Sequence, residues 1–173
     1  MATETRQVTD VAPAKAPTVF LSGSFPGKLD AKGRTILPPA FRQKLLGEVL
    51  AFPSLTEPVV EIGGEVLREA LLRAVEKLGA VDRLDRRLTK LHNYIAQNLQ
   101  PLAVDDAGRV TLPSRLKEHA QLEGPLTFAG RGSHFVLATA RYLETHDADA
   151  HALGEEMGET FAALMRPSVG EGG

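Results

Sequence analysis

Apolar residues in this chain fall first in short clusters broken by turn residues, then at helical spacing, then in short clusters again. Order is expected to begin near Val19-Phe20-Leu21, and Phe25 to Leu29 reads as a short strand. Asp30-Ala31-Lys32-Gly33 has the marks of a tight turn, because Asp can accept backbone N–H bonds and Gly takes a positive φ at little cost. Arg34 to Leu37 then predicts the return strand of a three-residue hairpin connection. Pro38-Pro39 stops that strand, and Pro39 to Leu46 predicts a short helix ending at Gly47. Val49 to Phe52 and Val59 to Ile62 predict two more strands around a Pro-Ser-Leu-Thr-Glu-Pro turn.

From Gly64 the period changes. Leu67, Leu71, Ala74 and Leu78 recur at the spacing of one helix face, with Gly79 and Val81 expected to interrupt it. A second helix carries Leu84, Leu88, Leu91 and Ile95 on one stripe and Arg83, Arg86, Arg87 and Lys90 elsewhere, until Gln100-Pro101 ends it. The opening order then returns. Leu102-Ala103-Val104 predicts a strand, Asp105-Asp106-Ala107-Gly108 a turn, and Arg109 to Leu112 the return strand. Ser114 is a good N-cap for a short helix over Arg115 to Leu122, followed by strands at Leu126 to Phe128 and His134 to Leu137. Arg141 to Met165 reads as helical, with breaks expected near Asp147 and Gly154.

The expected organisation is therefore a disordered tail over 1–18, a first repeat over 19–63, a helical spacer over 64–100, a second repeat over 101–140, and a helical extension with a frayed end over 141–173. A unit of this size struggles to bury a core alone, so the two repeats are expected to pair into one composite α+β domain around a pseudo-two-fold axis.

The repetition is sharpest at the turns. Asp30, Gly33, Arg34, Leu37 and Pro38 match Asp105, Gly108, Arg109, Leu112 and Pro113 in order and spacing, five identities in nine positions. Composition constrains the chemistry around them. The 173 residues contain no cysteine, which removes disulfides, thiolate nucleophiles and zinc–thiolate sites. No secretory h-region or apolar run of membrane-spanning length occurs, so a cytoplasmic protein is expected. The net charge of −2 conceals an asymmetry. Lys28, Lys32, Arg34, Arg42 and Lys44 against Asp30 make the first motif region +4, whereas 140–173 is −5. The corresponding stretch of the second repeat, 105–118, is neutral. A basic patch of this kind admits an anionic partner locally.

Two copies of Asp-x-x-Gly-Arg, each followed by an apolar strand and Pro, resemble the MraZ family of bacterial proteins over about Phe20 to Tyr142, and Asp82-Arg83-Leu84-Asp85-Arg86-Arg87 is similar to that family's middle segment. The resemblance implies a tandem swapped-hairpin fold of the AbrB (SpoVT-AbrB) type, with a small barrel-like core and peripheral helices, assembled into a closed homo-oligomeric ring. It further implies a nucleoid-associated transcriptional repressor with no enzymatic activity and no cofactor. Its partner would be double-stranded DNA, at short direct repeats in the promoter of the cell-division and cell-wall cluster that begins with its own gene. The long N-terminal tail and the Ala- and Glu-rich C-terminal extension depart from the family pattern.

Within that reading each hairpin presents its arginine to DNA, since a two-stranded ribbon fits the major groove and Arg pairs bidentately with guanine at ~1–3 kcal/mol of discrimination. Arg34 and Arg109 are the base-contact candidates, and the first copy is the better of the two because only its surroundings are basic. Lys28, Lys32, Arg42 and Lys44, with Arg115 and Lys117 as weaker counterparts, are the phosphate-contact candidates. Asp30, Gly33, Asp105 and Gly108 build the turns. The plain alternative is that Asp30–Arg34 and Asp105–Arg109 pair only to lock the hairpins. The leucine stripes serve either an interface between subunits or burial within one chain. Two rival functions stand beside the repressor: a protein-interaction ring that does not read DNA, and a metal-dependent hydrolase using His146-Asp147-Ala148-Asp149-Ala150-His151. The i, i+5 histidine pair does not share a helix face, and no phosphate loop or nucleophile elbow occurs, so no metal or small-molecule substrate is expected.

Overall fold

A computed structural model of the chain describes residues 19–45, 47–81 and 86–166. The expected tail, Leu46, the Asp82–Asp85 part of the spacer with Leu84, the side chain of Leu78 and the end from Pro167 lie outside the described residues. The first repeat comprises β1 (Ser24–Gly27), β2 (Arg34–Ile36), α1 (Pro39–Arg42), β3 (Leu50–Pro53) and β4 (Val60–Gly63). Helices α2 (Glu65–Val81) and α3 (Arg86–Asn98) follow. The second repeat supplies β5 (Gln100–Pro101), β6 (Arg109–Thr111), α4 (Ser114–His119), β7 (Leu126–Gly130) and β8 (Phe135–Thr139), and α5 (Ala140–Met165) ends the described chain. Among the described residues no helix is long and apolar enough to cross a membrane.

Each motif closes its turn, yet the strands on either side part. β1 pairs antiparallel with β7, and β2 with β6, in place of the local β1–β2 pairing that the turn suggests. One repeat has too few apolar residues to close a core, and pairing across repeats pools them. The main sheet runs β1-β7-β8-β4-β3-β5, and β2-β6 forms a separate two-stranded ribbon. Reading the sheet from either edge meets counterpart strands in the same order: β1 for β5, β7 for β3, β8 for β4. The ribbon obeys the same symmetry. Arg34 opposes Thr111, Thr35 opposes Val110 and Ile36 opposes Arg109.

Alternation along the ribbon turns Thr35 and Val110 inward and leaves Ile36, Arg109 and Thr111 exposed. Inward lies a core drawn from both repeats, including Leu37, Phe41, Val110, Leu112 and Leu116. Phe41 of α1 stacks on Phe135 of β8 at 4.6 Å and meets the edge of Phe25 at 5.1 Å, so the helix of one repeat is keyed into the sheet of the other. Truncating such a buried ring costs about 3–5 kcal/mol. On the opposite face, Val59, Val136 and Ala138 pack under Leu143 and Tyr142 of α5, whose first turn is capped by Thr139 accepting from Tyr142 N at 3.3 Å.

Four local expectations are corrected. Leu102-Ala103-Val104 is not a regular strand: pairing with β3 falls on Gln100–Pro101, Leu102 N donates to Val49 O at 2.8 Å, and Val104 makes only an isolated bridge to Val110. Ser114 opens α4 as its first helical residue, and Pro113 holds the cap position without a side-chain bond. α2 runs through Gly79 to Val81, and α5 runs unbroken across Asp147 and Gly154. Each helical glycine, Gly79 in α2 and Gly154 and Gly158 in α5, costs only about 1 kcal/mol against Ala. Of the spacer stripes, Leu67 and Ile95 are buried within the chain, while Ala74 and the neighbouring Leu72 face out.

Candidate nucleic-acid interface

The two motif loops share one internal bonding scheme. Asp30 Oδ1 accepts from Lys32 N and Arg34 N, both at 2.9 Å, and its Oδ2 accepts from Arg34 Nε at 2.7 Å. Asp105 repeats this with Ala107 N, Arg109 N and Arg109 Nε at 2.9, 2.9 and 2.7 Å. Backbone bonds close both necks: Asp30 N to Arg34 O at 2.9 Å and Asp105 N to Arg109 O at 3.0 Å. The turn donors are Gly33 N to Asp30 O and Gly108 N to Asp105 O, with the glycines at φ 71° and 78°. Backbone N–H donation from the motif arginine, with the guanidinium itself adding to it, holds each Asp carboxyl below the usual carboxylate range.

Each aspartate occupies the Nε of its arginine. The terminal nitrogens of Arg34 and Arg109 have no partner among the described residues, so a planar donor pair is fixed in direction and still open. Register puts the two arginines diagonally on the ribbon, Arg34 beside Thr111 and Arg109 beside Ile36. Ile36 is 57% exposed between them. A cleft of about 410 Å³ opens along β2, walled by Phe25, Pro26, Ile36, Leu37 and Pro38 and edged by Lys28, Arg34 and Arg109.

The remaining candidate cations divide. Arg42 and Lys117, counterparts on α1 and α4, reach the opposite repeat: a Cβ added at Gly108 would overlap the Arg42 guanidinium, and one at Gly33 the Lys117 ammonium. Both therefore sit against the motif turns. Lys32 lies at the tip of the first turn and Lys28 on the cleft edge. Lys44 instead donates to Phe20 O at 3.2 Å, and Arg115 lies 6.0 Å over the ring of Tyr94 in α3, so these two are turned to the body of the protein. That Arg42 and Lys117 are counterparts had a signal in the sequence, since each stands the same distance after its motif arginine, but their crossing to the opposite repeat had none.

No family model matches the chain. Individual relatives do. It is 31% identical over 147 residues to the transcriptional regulator MraZ of Gluconacetobacter diazotrophicus, covering 81% of this chain and 90% of that protein. The MraZ of Phenylobacterium zucineum is 30% identical over 141 residues, covering 80% and 86%. With the MraZ of Caulobacter vibrioides the identity is 28% over 158 residues, covering 90% of this chain and 99% of the relative. The chain belongs to the MraZ family of transcriptional regulators.

One side-chain group in this MraZ-family chain had no sequence signal. Glu57, in the β3–β4 loop, is paired with Arg131 and accepts from Arg131 Nη2 at 3.0 Å and from Tyr142 Oη at 2.9 Å. His146 Nε2 lies 3.6 Å from the same carboxylate, and His119 Nε2 lies 3.1 Å from the Glu57 carbonyl. Donation from Arg131, reinforced by Tyr142, holds the Glu57 carboxyl down at about 2. The group ties α4 and α5 to the loops at the ends of the central strands. His146 is thus engaged by Glu57, and His151 is turned to Glu155 at 3.5 Å. Among the described residues no three His, Asp or Glu side chains are gathered to hold a metal ion.

Proposed function

We propose that this chain is a sequence-specific DNA-binding transcriptional repressor, a tandem swapped-hairpin protein whose β2–β6 ribbon enters the major groove. The observation that carries the reading is the pair of aspartate-oriented arginines on one exposed antiparallel ribbon. A ribbon of this width fits the major groove, and the free edges of Arg34 and Arg109 match guanine O6 and N7. Ile36 between them suits a thymine methyl. Lys28, Lys32, Arg42 and Lys117 flank the ribbon and contact phosphates, which sets register and affinity but not sequence. Lys44 and Arg115 contribute less, given their present partners.

One ribbon supplies only a small contact surface. Copies assembled in a closed ring and engaging successive direct repeats would make later contacts intramolecular, raising avidity ~10²–10⁴-fold. That reconciles a net charge of −2 with tight binding. By family resemblance the operator is the promoter of the cell-division and cell-wall cluster headed by the protein's own gene. Fluorescence anisotropy with DNA from upstream of the coding region tests the reading. Binding should be saturable, preferred over scrambled DNA, and weaker as salt rises. Salt-independent binding, or equal affinity for scrambled DNA, would refute it.

A second reading, a ring that binds protein and not DNA, is favoured by the exposed apolar residues of α5. It predicts no DNA binding in the same titration.

A further inference from the structure

Nine large apolar side chains stand exposed among the described residues, and five of them lie on the second half of α5: Leu153, Met157, Phe161, Leu164 and Met165, each at least 51% exposed. Leu153, Met157, Phe161 and Leu164 follow one another at steps of four, four and three, a single helical stripe. The stripe continues the face that Leu143 buries against Val59, Val136 and Ala138 at the start of the helix. The helix is thus anchored by its first turns and carries an apolar face outward. Gly154 and Gly158 beside it have open space above them, which leaves room for another helix to approach closely.

Charge selects what covers this face. α5 carries Glu144, Asp147, Asp149, Glu155, Glu156 and Glu159 against Arg141 alone. A second α5 would bring like charges together. α3 is the opposite: Arg86, Arg87 and Lys90 with no acidic residue, beside α2, on which Leu72 is 48% exposed. Among the described residues α2 and α3 leave the stripe of their own chain uncovered, and a second copy of the chain offers the same basic α3 beside the exposed Leu72.

We propose that the apolar stripe of α5 docks on the α2–α3 helix pair of a second copy of this chain. The acidic flanks of α5 face Arg86 and Lys90, and Leu72 meets the stripe. Such a contact is head-to-tail, since the donor and acceptor surfaces differ, and repetition of it makes a ring or an open chain. This inference rests on the self-assembly reading above and names the surfaces that carry it.

Because the chain has no cysteine, single cysteines report the contact directly. Full-length chains bearing Phe161→Cys or Met157→Cys, lengthened by a tag, are mixed with an untagged Leu72→Cys chain and oxidised mildly. The expected product is the mixed disulfide, between α5 of one chain and α2 of another, as the dominant crosslink with at least one α5 position. These sites are exposed in the protomer, so the variants should fold as the parent does. Light scattering on the parent chain separates the two levels of the argument. A mass several times 18.6 kDa with only Phe161→Cys or Met157→Cys self-crosslinks, or with no crosslink, overturns this docking and leaves assembly standing. A parent chain that stays monomeric overturns the assembly reading and the docking with it.

Discussion

The Arg42 guanidinium lies against Gly108, and the symmetry of the fold repeats the contact with Lys117 against Gly33. The motif turn of each repeat is therefore covered by a cation from the short helix of the other. Gly108→Ala meets two obstacles, a φ of 78° and the guanidinium itself. The first costs about 1–2 kcal/mol for any side chain with a Cβ. The second is small, because the far end of a flexible side chain can swing away. Urea unfolding should show Gly108→Ala destabilised by that ~1–2 kcal/mol. Its coupling to Arg42→Ala in a double-mutant cycle should stay below about 0.5 kcal/mol. A large coupling would mean that Arg42 is held rigidly at the turn.

Acid should loosen the fold through particular carboxylates. The native pKa of Glu57 is near 2 against an ordinary 4.5, so its contribution is fully present above about pH 4.5 and lost as pH falls toward about 2. Asp30 and Asp105 are also depressed, and their contribution disappears below the ordinary carboxylate value of 3.8. In thermal melts from pH 7 to pH 2, Glu57→Gln should lower the melting temperature at neutral pH and flatten the acid decline. An unchanged acid slope would remove Glu57 from the account.

The motif turns were legible in the sequence as turns with Asp30 accepting backbone N–H bonds and Gly33 at positive φ, because these residues act on one another within five positions, while the pairing of Asp30 with the Arg34 side chain stood as one of two alternatives. The repeated order of elements was legible for the same reason. What the turns could not tell is that β1 and β2 leave each other for β7 and β6, since that choice depends on where buried partners such as Phe135 and Val110 lie. α5 was expected to break at Asp147 and Gly154 on composition, although one glycine is a weak helix breaker and no proline occurs between Ala140 and Met165. The Glu57 group was invisible, as Arg131 and Tyr142 stand 74 and 85 positions away. Of the candidate cations, charge alone ranked Lys44 with Lys32, and only packing separates them.

Phosphate contacts and base contacts should part under salt. Lys32→Ala, at the exposed tip of the first turn, is expected to weaken binding to operator and scrambled DNA alike and to reduce the slope of log affinity against log salt by about 1. Anisotropy titrations at several salt concentrations measure it. An unchanged slope would take Lys32 off the phosphate backbone.

The central claim is that Arg34 and Arg109, each steered by its aspartate through Nε, read bases from the β2–β6 ribbon. The most direct measurement is the affinity of Arg34→Ala, Arg109→Ala and the double variant for upstream and scrambled DNA, with circular dichroism confirming the fold. Each single change should weaken operator binding by about 1–3 kcal/mol, and the double variant should lose its preference over scrambled DNA. A folded double variant that binds and discriminates like the parent across salt concentrations would contradict the account.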